Sequence, residues 1–550
     1  MKEGNNMTYK DLAEKIFPDI KHDIAYYESK YKPRNLKEGA IVTRYAPSPT
    51  GFVHIGALLA SFCSYSFAKQ SEGIFYLRIE DTDTKRTVEN GIELIIKDLK
   101  NFNITFDEGA VSSEKQIGQY GPYIQSQRKE IYQTFIKHLV QEGKAYPCFL
   151  SEEELNSIRE RQEKYKERIG CYGKYAKYRD LEPDEAIKKI DNNEPYIIRL
   201  KSPGSFYRKI KCNDLVRKEL EFPENDIDIP IMKKDGLPTY HFAHLVDDHL
   251  MRTTHVIRGD EWVSSLPIHL QLFQVFGFKA PKYAHISPLL KNDNGTIRKL
   301  SKRKDPECAV SFYHEMGIPT EAVKLYLATI INSNFEEWYL QNKDKNIEDF
   351  TFTFQKVSKS GALFDLEKLA NISKTYFSRL TKDELYEQTV NYLEEFDKDF
   401  KVVFTKDENY TKAILNIERE QKKPRKDIAK YSDIKKLFAF MYDETFAPQY
   451  ENKNIDINLI INYIAKYFDA TDDNNTWFNK ITEFAEANGY AQMKTYKENP
   501  EKYKGHVGDI CEMLRYVLTG LTQTPDLYEI MRILGKDRIQ KRITNYQNLI

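Results

Sequence analysis

Apolar positions in the first half of the chain predict two units of strand, helix and strand. The first unit starts with the β-branched and aromatic run at residues 41–45 and continues into a helix whose Leu58, Phe62 and Tyr65 share one face. Residues 74–79 form the next apolar run. A crossover helix between two strands predicts parallel pairing, with a functional site beyond the carboxyl ends of the strands.

The second unit repeats this pattern much later in the chain. Residues 255–258 form a strand-like run, a helix then carries Leu266, Leu270 and Phe273 on one side, and residues 283–286 return as a strand. A turn-forming Asn-Asp-Asn-Gly segment follows and precedes a loop rich in basic residues. The cations of this loop are Arg298, Lys299, Lys302, Arg303 and Lys304. Together the two units predict an α/β fold with a Rossmann-like parallel sheet.

A segment of mixed character separates the two units and predicts an α+β insertion. A charged helix is expected over residues 151–168, where Ser151 and Glu154 have the spacing of a capping box. Strands are expected at residues 196–200 and 212–217. The rest of the chain after the α/β part has a helical pattern with few glycines, which predicts an all-α half.

Composition limits the class of protein. The 550 residues are enough for several domains, and 83 basic residues balance 83 acidic ones, so a polyanionic partner would need locally concentrated positive charge. The sequence shows no long apolar run and no leader pattern, so we do not expect a membrane or secreted protein. Six scattered cysteines without a Cys-x-x-Cys pair suit a reducing compartment, and we expect a cytoplasmic protein.

One candidate for chemistry is the segment at residues 44–57, which reads Arg-Tyr-Ala-Pro-Ser-Pro-Thr-Gly-Phe-Val-His-Ile-Gly-Ala. It leads into the first crossover helix, whose unpaired N–H groups and dipole favour an anion. Gly56 would let a phosphate approach the backbone, and His54 can donate a hydrogen bond to it. The alternative is that Gly51 and Gly56 only serve a tight turn while His54 is a solvated loop residue.

The second candidate is Lys-Leu-Ser-Lys-Arg at residues 299–303. In this order, the two segments resemble the ATP-binding signatures of the class I aminoacyl-tRNA synthetases, in the bacterial glutamate type. A rival match, Lys-Val-Ser-Lys-Ser at residues 356–360, spells the general class signature more closely. It lacks a strand-then-loop setting, and the residues after it resemble the family's junction into its tRNA-binding half. We therefore assign the second signature to residues 299–303.

The resemblance implies an ATP-dependent ligase that forms glutamyl-adenylate and transfers the glutamyl group to the terminal adenosine of tRNA. Catalysis would depend on His54, Lys299 and Lys302, since a cationic loop that closes over departing pyrophosphate stabilises the transition state. The alternative is a solvated basic loop. By resemblance, the ATP-binding residues are Pro47, His54, Gly56, Glu261, Trp262 and Lys302. Magnesium is expected mainly with ATP, and no covalent nucleophile is expected.

A glutamate pocket must hold two carboxylates and an ammonium group. The planar fork of an arginine suits the side-chain carboxylate, and Arg44 and Arg258 both end predicted strands, so both can point into one crevice. Glu80 ends the second strand and suits the ammonium group. By resemblance, the glutamate-binding residues are Arg44, Ser48, Glu80, Tyr240 and Arg258.

Other carboxylates nearby have structural interpretations. We expect at least one of Asp81 and Asp83 to cap a helix, and Ser126 to cap the helix that follows it. Asp247 and Asp248 could suggest a metal site, but carboxylate pairs are common on polar turns, so we interpret them as structural. No metal site formed by the protein is predicted.

Zinc is also not predicted. Some enzymes of the family bind zinc in the insertion through a Cys-x-Cys pair followed by a later cluster. Here Leu150 stands where a second cysteine would follow Cys148, and Cys171 has only Tyr172 and Gly173 beside it. Two thiols cannot fill a tetrahedral site.

The expected domains combine these patterns with the resemblance. They are a helical extension at 1–39, a Rossmann-like catalytic domain at 40–145 and 231–304, an inserted acceptor-end-binding domain at 146–230, a connecting segment at 305–365 and a helical anticodon-binding domain at 366–550. Within the last of these, Phe438, Phe440 and Tyr442 near the basic residues 417–426 could stack on unpaired bases, but a role in the helix core is favoured. Expected partners are glutamate and tRNA(Glu), with a monomer as the default. Charging of tRNA(Gln) as well is left open.

Three rival functions are weaker. A glutamine–tRNA ligase typically reads Pro-Pro-Glu-Pro-Asn-Gly where this chain reads Ala-Pro-Ser-Pro-Thr-Gly. A truncated paralogue that modifies a tRNA base lacks the anticodon-binding half, whereas this chain continues well past Leu366. A non-catalytic tRNA-binding paralogue gains slight support from Ala57, where the general class signature ends in histidine, although glutamate enzymes commonly carry a small residue there.

Overall fold

The computed structural model describes residues 7–83, 87–301, 303–451 and 455–549. The chain divides into two compact units. The first unit comprises the residues up to Phe312 together with Lys324–Asp365, and the second comprises Tyr313–Val323 together with the residues from Leu366 onward. None of the described helices combines the length and the apolar character needed to traverse a bilayer.

The first unit contains all the strands that the structure describes. They are β1 (Val42–Tyr45), β2 (Ile74–Leu77), β3 (Glu108–Ala110), β4 (Gln116–Ile117), β5 (Ala145–Cys148), β6 (Ile197–Leu200), β7 (Lys209–Asp214), β8 (Lys218–Pro223), β9 (Pro230–Met232), β10 (His255–Gly259), β11 (Lys282–Ile286), β12 (Leu289–Asp293), β13 (Thr296–Lys299) and β14 (Ala362–Leu363). Its helices are α1 (Tyr9–Ile16), α2 (Ile24–Lys30), α3 (Ile55–Gln70), α4 (Gly91–Asn101), α5 (Lys129–Gln141), α6 (Glu152–Lys164), α7 (Pro183–Asp191), α8 (Tyr240–Leu250), α9 (Leu266–Val275) and α12 (Phe335–Gln341). Helices α10 (Val310–Glu315) and α11 (Thr320–Ile331) contribute residues to both units.

The two predicted strand–helix–strand units form the parallel centre of the first unit. β1 pairs in parallel with β2, with Val42 opposite Ile74, and β10 pairs in parallel with β11. β1 and β10 are neighbours, since Thr254 N–H donates to Val42 O at 3.0 Å. The carboxyl ends of these strands therefore meet at one edge, where a parallel sheet places its site. The predicted Rossmann-like sheet is confirmed.

The insertion holds an antiparallel sheet of β5, β6 and β9 and a separate hairpin of β7 and β8. The capping box of Ser151 and Glu154 is present, although α6 ends at Lys164 and not at residue 168. The expected strand at 212–217 also ends early. The Asp214 side chain accepts from the backbone N–H of Val216 and Arg217, at 2.9 and 2.8 Å, and so turns the chain.

The predicted Asn-Asp-Asn-Gly turn joins β12 and β13, with positive φ at Asn294 and Gly295. The rival segment at 356–360 follows a 3₁₀ helix (Phe354–Lys356), not a strand. It continues into β14, which adds in parallel to β12. Of the two candidates, only residues 299–303 begin at the end of a strand, which is the setting predicted for the second signature.

Among the residues that the structure describes, the second unit consists of helices joined by turns and loops, without a strand. Its helices are α13 (Leu366–Arg379), α14 (Lys382–Phe396), α15 (Lys398–Thr405), α16 (Glu408–Leu415), α17 (Tyr431–Phe438), α18 (Ile457–Lys466), α19 (Asn474–Ala487), α20 (Met493–Glu498), α21 (Val507–Thr519) and α22 (Leu527–Leu549), the last broken at Gly535. Phe438, Phe440 and Tyr442 are buried in one apolar core, so their expected core role is confirmed. The all-α character predicted for this part is confirmed as well.

Candidate active site

A cavity of about 780 Å³ opens at the carboxyl ends of β1, β2 and β10. The predicted site residues that line it are Arg44, Pro47, Ser48, His54, Gly56, Glu80, Tyr240, Arg258, Glu261, Trp262 and Lys299. Lys302 lies outside the described residues. The structure therefore brings together every predicted site residue that it describes, from segments far apart in the sequence.

The start of α3 is organised by His54. Its ring is the N-cap and its Nδ1 accepts from the Ala57 N–H at 3.0 Å, which leaves the proton of the neutral ring on Nε2. Gly56 leaves room for this ring, because a Cβ at this position would lie 3.2 Å from His54 Nδ1 and the ring would have to shift by a few tenths of an ångström. The glycine thus makes room for the capping ring as well as for a ligand. The N-terminus of α3, facing the cavity, is suited to an anion.

Arg44 belongs to a buried network of arginines and carboxylates. Its Nε lies 3.2 Å from Asp248 Oδ1, and the same oxygen accepts from Arg78 Nη1 at 2.7 Å. Asp247 accepts from Arg128 Nε at 2.7 Å. Burial opposes ionisation of Asp248, but Arg44 and Arg78 hold the pKa of its carboxyl below the usual range. Asp247 and Asp248 lie inside α8 and not on the polar turn expected from the sequence, and their contacts with buried arginines are structural.

Arg78 and Arg128 were not among the predicted residues. Arg78 lies just beyond β2 and its side chain is fully buried, and Arg128 is equally buried in the 3₁₀ helix before α5. An arginine in an otherwise apolar run, two positions before Glu80, is the signal that could have identified Arg78.

Glu80 lies at the cavity and accepts from Arg78 Nη2 at 2.9 Å. Burial raises the pKa of its carboxyl, although Arg78 and Arg44 oppose that effect. Glu80 N–H also donates to Pro47 O at 2.9 Å, which fixes the first signature segment beside the strand end. The carboxylate is therefore both held in place and short of solvent, as a partner for a bound cation would be.

The caps near Glu80 differ in part from expectation. Asp81 accepts from the N–H and from Oγ of Ser126, at 2.8 and 2.6 Å, so it serves the start of the 3₁₀ helix as the capping interpretation expected. The prediction that Ser126 caps the next helix is wrong. α5 begins at Lys129 with Arg128 as its N-cap and no side-chain cap, because Ser126 lies within the preceding 3₁₀ helix, where its hydroxyl donates to Asp81.

Arg258 differs from the other buried arginines of the site. The residue is only 6% exposed, and its guanidinium contacts neutral acceptors: His285 Nε2 at 3.0 Å, His269 Nδ1 at 3.1 Å and Trp262 O at 3.4 Å. Within the described part of the chain no carboxylate lies in ion-pair range of it. A buried guanidinium without a counter-charge is unfavourable alone and favours an anionic ligand.

An aromatic wall borders the same cavity. The rings of Tyr240 and Trp262 are stacked, with centroids 4.3 Å apart and planes inclined by 27°. Burial raises the pKa of Tyr240 to about 12, so its hydroxyl stays protonated at neutral pH. Such a wall offers one face to a planar or apolar group.

An ion pair between Arg298 and Asp305 at the end of β13 was not predicted from the sequence, and we call it the clasp. The Arg298 guanidinium bonds to both oxygens of Asp305, at 2.6 and 2.9 Å, and Asp305 Oδ2 also accepts from the Ser301 N–H at 2.8 Å. Arg298 holds the pKa of the Asp305 carboxyl below its usual range. Lys299 is more exposed and lies 3.3 Å from Asp260 at the cavity rim. Arg298 and Lys299 thus belong to the end of β13 and not to the predicted loop, because they pair with β12; Arg298 holds Ser301 through Asp305, while Lys299 lies at the cavity.

The described residues contain no cluster of three or more histidine, cysteine, aspartate or glutamate side chains suited to a metal ion. Cys148 and Cys171 are buried in one apolar cluster that also contains Leu150. Among the described residues this cluster therefore places two thiols beside apolar side chains.

The chain matches two family models. "tRNA synthetases class I (E and Q), catalytic domain" matches residues 40–371, and "Anticodon binding domain" matches residues 362–547. It is 49% identical to a glutamate–tRNA ligase of Clostridium perfringens over 98% of this chain and 100% of that one, and 47% identical to one of Clostridium beijerinckii over 99% and 100%. Among solved structures, the glutamate tRNA ligase of Elizabethkingia meningosepticum in complex with its amino acid is similar, with a TM-score of 0.74, 28% identity and coverage of 92% of this chain and 99% of that one.

Proposed function

Since the chain belongs to the family of class I tRNA synthetases for glutamate and glutamine, we propose that it ligates glutamate to tRNA in two steps. In the first step the α-carboxylate of glutamate attacks the α-phosphorus of ATP and pyrophosphate leaves. In the second step a hydroxyl of the terminal ribose of tRNA attacks the glutamyl carbonyl and AMP leaves. Both steps need positioning and charge stabilisation and no covalent nucleophile.

The observation that carries the choice of glutamate is the buried charge of Arg258. The side-chain carboxylate of glutamate supplies the counter-charge that the surrounding histidines do not. Glutamine has no charge to offer and would leave the guanidinium unpaired. Arg44 is less suited to this task because it already shares Asp248 with Arg78. We assign Glu80 to the substrate ammonium group, with Ser48, Tyr240 and Arg44 completing the pocket.

The ATP site is assigned to the other side of the cavity. The N-terminus of α3, with His54 and Gly56, would hold the phosphates, and Pro47, Glu261 and Trp262 would contact the adenosine. Lys299 and Lys302 would stabilise the charge that develops on the departing pyrophosphate. Magnesium would enter with ATP and would supply neutralisation of the phosphate charge.

The tRNA contacts are assigned by domain. The insertion at 146–230 would hold the acceptor end, the segment 305–365 would connect the two halves, and residues 366–550 would bind the anticodon. We propose tRNA(Glu) as the substrate, a monomer as the active form and the cytoplasm as its location. Charging of tRNA(Gln) is a question for the same assay with purified tRNA species.

The test is ATP–pyrophosphate exchange with glutamate or with glutamine, each with and without total tRNA. We expect exchange with glutamate in the presence of tRNA, and its loss in Arg258→Ala and Lys302→Ala. Lys37→Ala is the control, since this lysine is largely exposed and pairs with Glu72 away from the cavity. Exchange with glutamine at a similar rate would overturn the assignment of Arg258. No exchange under any condition would favour the non-catalytic tRNA-binding paralogue.

A further inference from the structure

A chain of hydrogen bonds runs from the inserted hairpin to Arg258. Asp214, the last residue of β7, has Oδ2 at 2.7 Å from His285 Nδ1, and His285 Nε2 accepts from Arg258 Nε at 3.0 Å. The side chains of Asp214 and His285 are fully buried. We infer that Asp214 and His285 are positioning residues that aim Arg258 at the side-chain carboxylate of the substrate, an inference that rests on the proposed function.

The direction of these bonds follows from the arginine. A guanidinium is always protonated and only donates, so His285 Nε2 must be the bare, accepting nitrogen. The proton of the neutral ring is then on Nδ1, where it is donated to Asp214. Asp214 thus selects the one tautomer that can hold Arg258.

Asp214 is itself fixed by its surroundings. Its carboxylate also accepts from the backbone N–H of Val216, Arg217 and His285. The neighbouring Leu215 N–H donates to Tyr283 O on β11 at 2.9 Å. The β7–β8 hairpin is therefore anchored to β11, the strand that carries His285. The position of Asp214 in the hairpin thus determines the orientation of Arg258 through the imidazole ring of His285.

A second imidazole holds the other side of the guanidinium. Arg258 Nη1 donates to His269 Nδ1 at 3.1 Å, and His269 Nε2 lies 3.0 Å from His241 Nδ1. Burial lowers the pKa of both His269 and His285, which keeps the rings neutral. Neutral acceptors orient the guanidinium without cancelling its charge, whereas a carboxylate in their place would remove the attraction for the substrate. The histidines thus fix the orientation of the Arg258 guanidinium and leave its positive charge available for the substrate carboxylate.

Two matched variants of His285 separate this role from simple packing. The oxygen of a glutamine side chain reaches the place of Nε2 and can accept from Arg258, whereas an asparagine reaches only the place of Nδ1. We expect His285→Asn to raise the KM for glutamate roughly tenfold or more, as loss of a charge-assisted hydrogen bond would, and to leave the KM for ATP within about twofold. His285→Gln should keep the KM for glutamate within about threefold of wild type. Equal effects of the two variants on the KM for glutamate, or no effect of either, overturn the inference.

The wild-type protein provides a test that does not depend on variants folding. Selective ¹⁵N labelling of histidine with two-bond ¹H–¹⁵N correlation spectra distinguishes the tautomers, and the Asp214→Asn spectrum assists the assignment of His285. We expect a neutral ring protonated at Nδ1, and the Nε2–H tautomer or an imidazolium at neutral pH overturns the inference. If the wild-type enzyme shows no glutamate-dependent exchange, the proposed function fails on its own, and the tautomer still decides whether the relay exists.

Discussion

At the residue scale, the site uses buried arginines in two different ways. Arg44, Arg78 and Arg128 are matched by Asp247, Asp248 and Glu80, so their charges are largely neutralised within the protein. Arg258 is held by imidazoles and keeps its charge. Of the first group only Arg44 lines the cavity, while Arg78 and Arg128 hold the buried carboxylates behind it, and Arg258 keeps the uncompensated charge that favours an anion.

Removal of one carboxylate from the network should be costly to stability. In Asp248→Asn the guanidinium groups of Arg44 and Arg78 lose their shared counter-charge in a site without solvent, so we expect a loss of about 3–5 kcal/mol in the free energy of unfolding. Urea unfolding followed by circular dichroism measures this change. Glu72→Gln is the matched control, because its pair with Lys37 is mostly exposed and should contribute about 0–1 kcal/mol. Similar losses in the two variants would contradict the network as described.

At the element scale, the strands and helices were predictable where the signal is local. The β-branched run of β1, the helical spacing of α3 and the Asn-Gly turn between β12 and β13 each depend on a few adjacent residues. The supports of the site are not local. Asp214, Arg258 and His285 come together across separations of 71 and 27 residues, and no periodicity in the sequence marks them as partners. The residues that line the cavity could therefore be predicted from the sequence, whereas the hydrogen bonds that orient their side chains could not.

The start of α3 gives a prediction for ATP binding. In Gly56→Ala the new Cβ would press on the capping ring of His54, at 3.2 Å from Nδ1. We expect the KM for ATP in the exchange reaction to rise several-fold, because the cap and the phosphate site share this turn. The stability should change by less than about 1 kcal/mol, since the gain in helix propensity offsets the weakened cap.

The control for this prediction is Ser66→Ala, which lies further along the same helix and away from the cavity. An unchanged KM for ATP in Gly56→Ala would mean that the phosphates do not approach this turn.

The clasp of the basic loop gives a prediction for the rate of the first step. Asp305→Ala removes the acceptor for Arg298 and for the Ser301 N–H, so the end of β13 and Ser301 lose the contact that fixes them beside the cavity. We expect kcat for exchange to fall by roughly tenfold or more with a smaller change in the KM for ATP, because the loop acts on charge that develops in the transition state. Asp293→Ala is the matched control, since Asp293 is more exposed and accepts a single bond from Arg298. Equal losses in the two variants would argue against the clasp.

At the scale of the whole molecule, the two units differ in how their stability should respond to acid. Burial lowers the pKa of a set of histidines, all of them in the first unit, below the usual value of 6.5. The set is His241, His244, His249, His255, His269 and His285. The pKa of His255 falls to about 4.

The sign of the effect follows from proton uptake. Between the folded pKa and 6.5, the unfolded chain binds more protons than the folded one, so the free energy of unfolding rises with pH in this window. The stabilisation is complete above pH 6.5 and is lost as the pH falls through the folded values. The usual pKa values of carboxyl groups lie below this window, so the histidines dominate between pH 6.5 and about 5.

The tryptophans allow the two units to be followed separately in the same chain. Trp262 and Trp338 lie in the first unit and Trp477 lies in the second. In Trp477→Phe, fluorescence should report a free energy of unfolding that falls steadily from pH 7 to pH 5. In the double variant Trp262→Phe and Trp338→Phe, the remaining signal should fall less over the same range, because the buried neutral histidines belong to the other unit. An equal fall in both variants would mean that the buried histidines of the first unit, including those that orient Arg258, do not determine how the free energy of unfolding changes between pH 7 and pH 5.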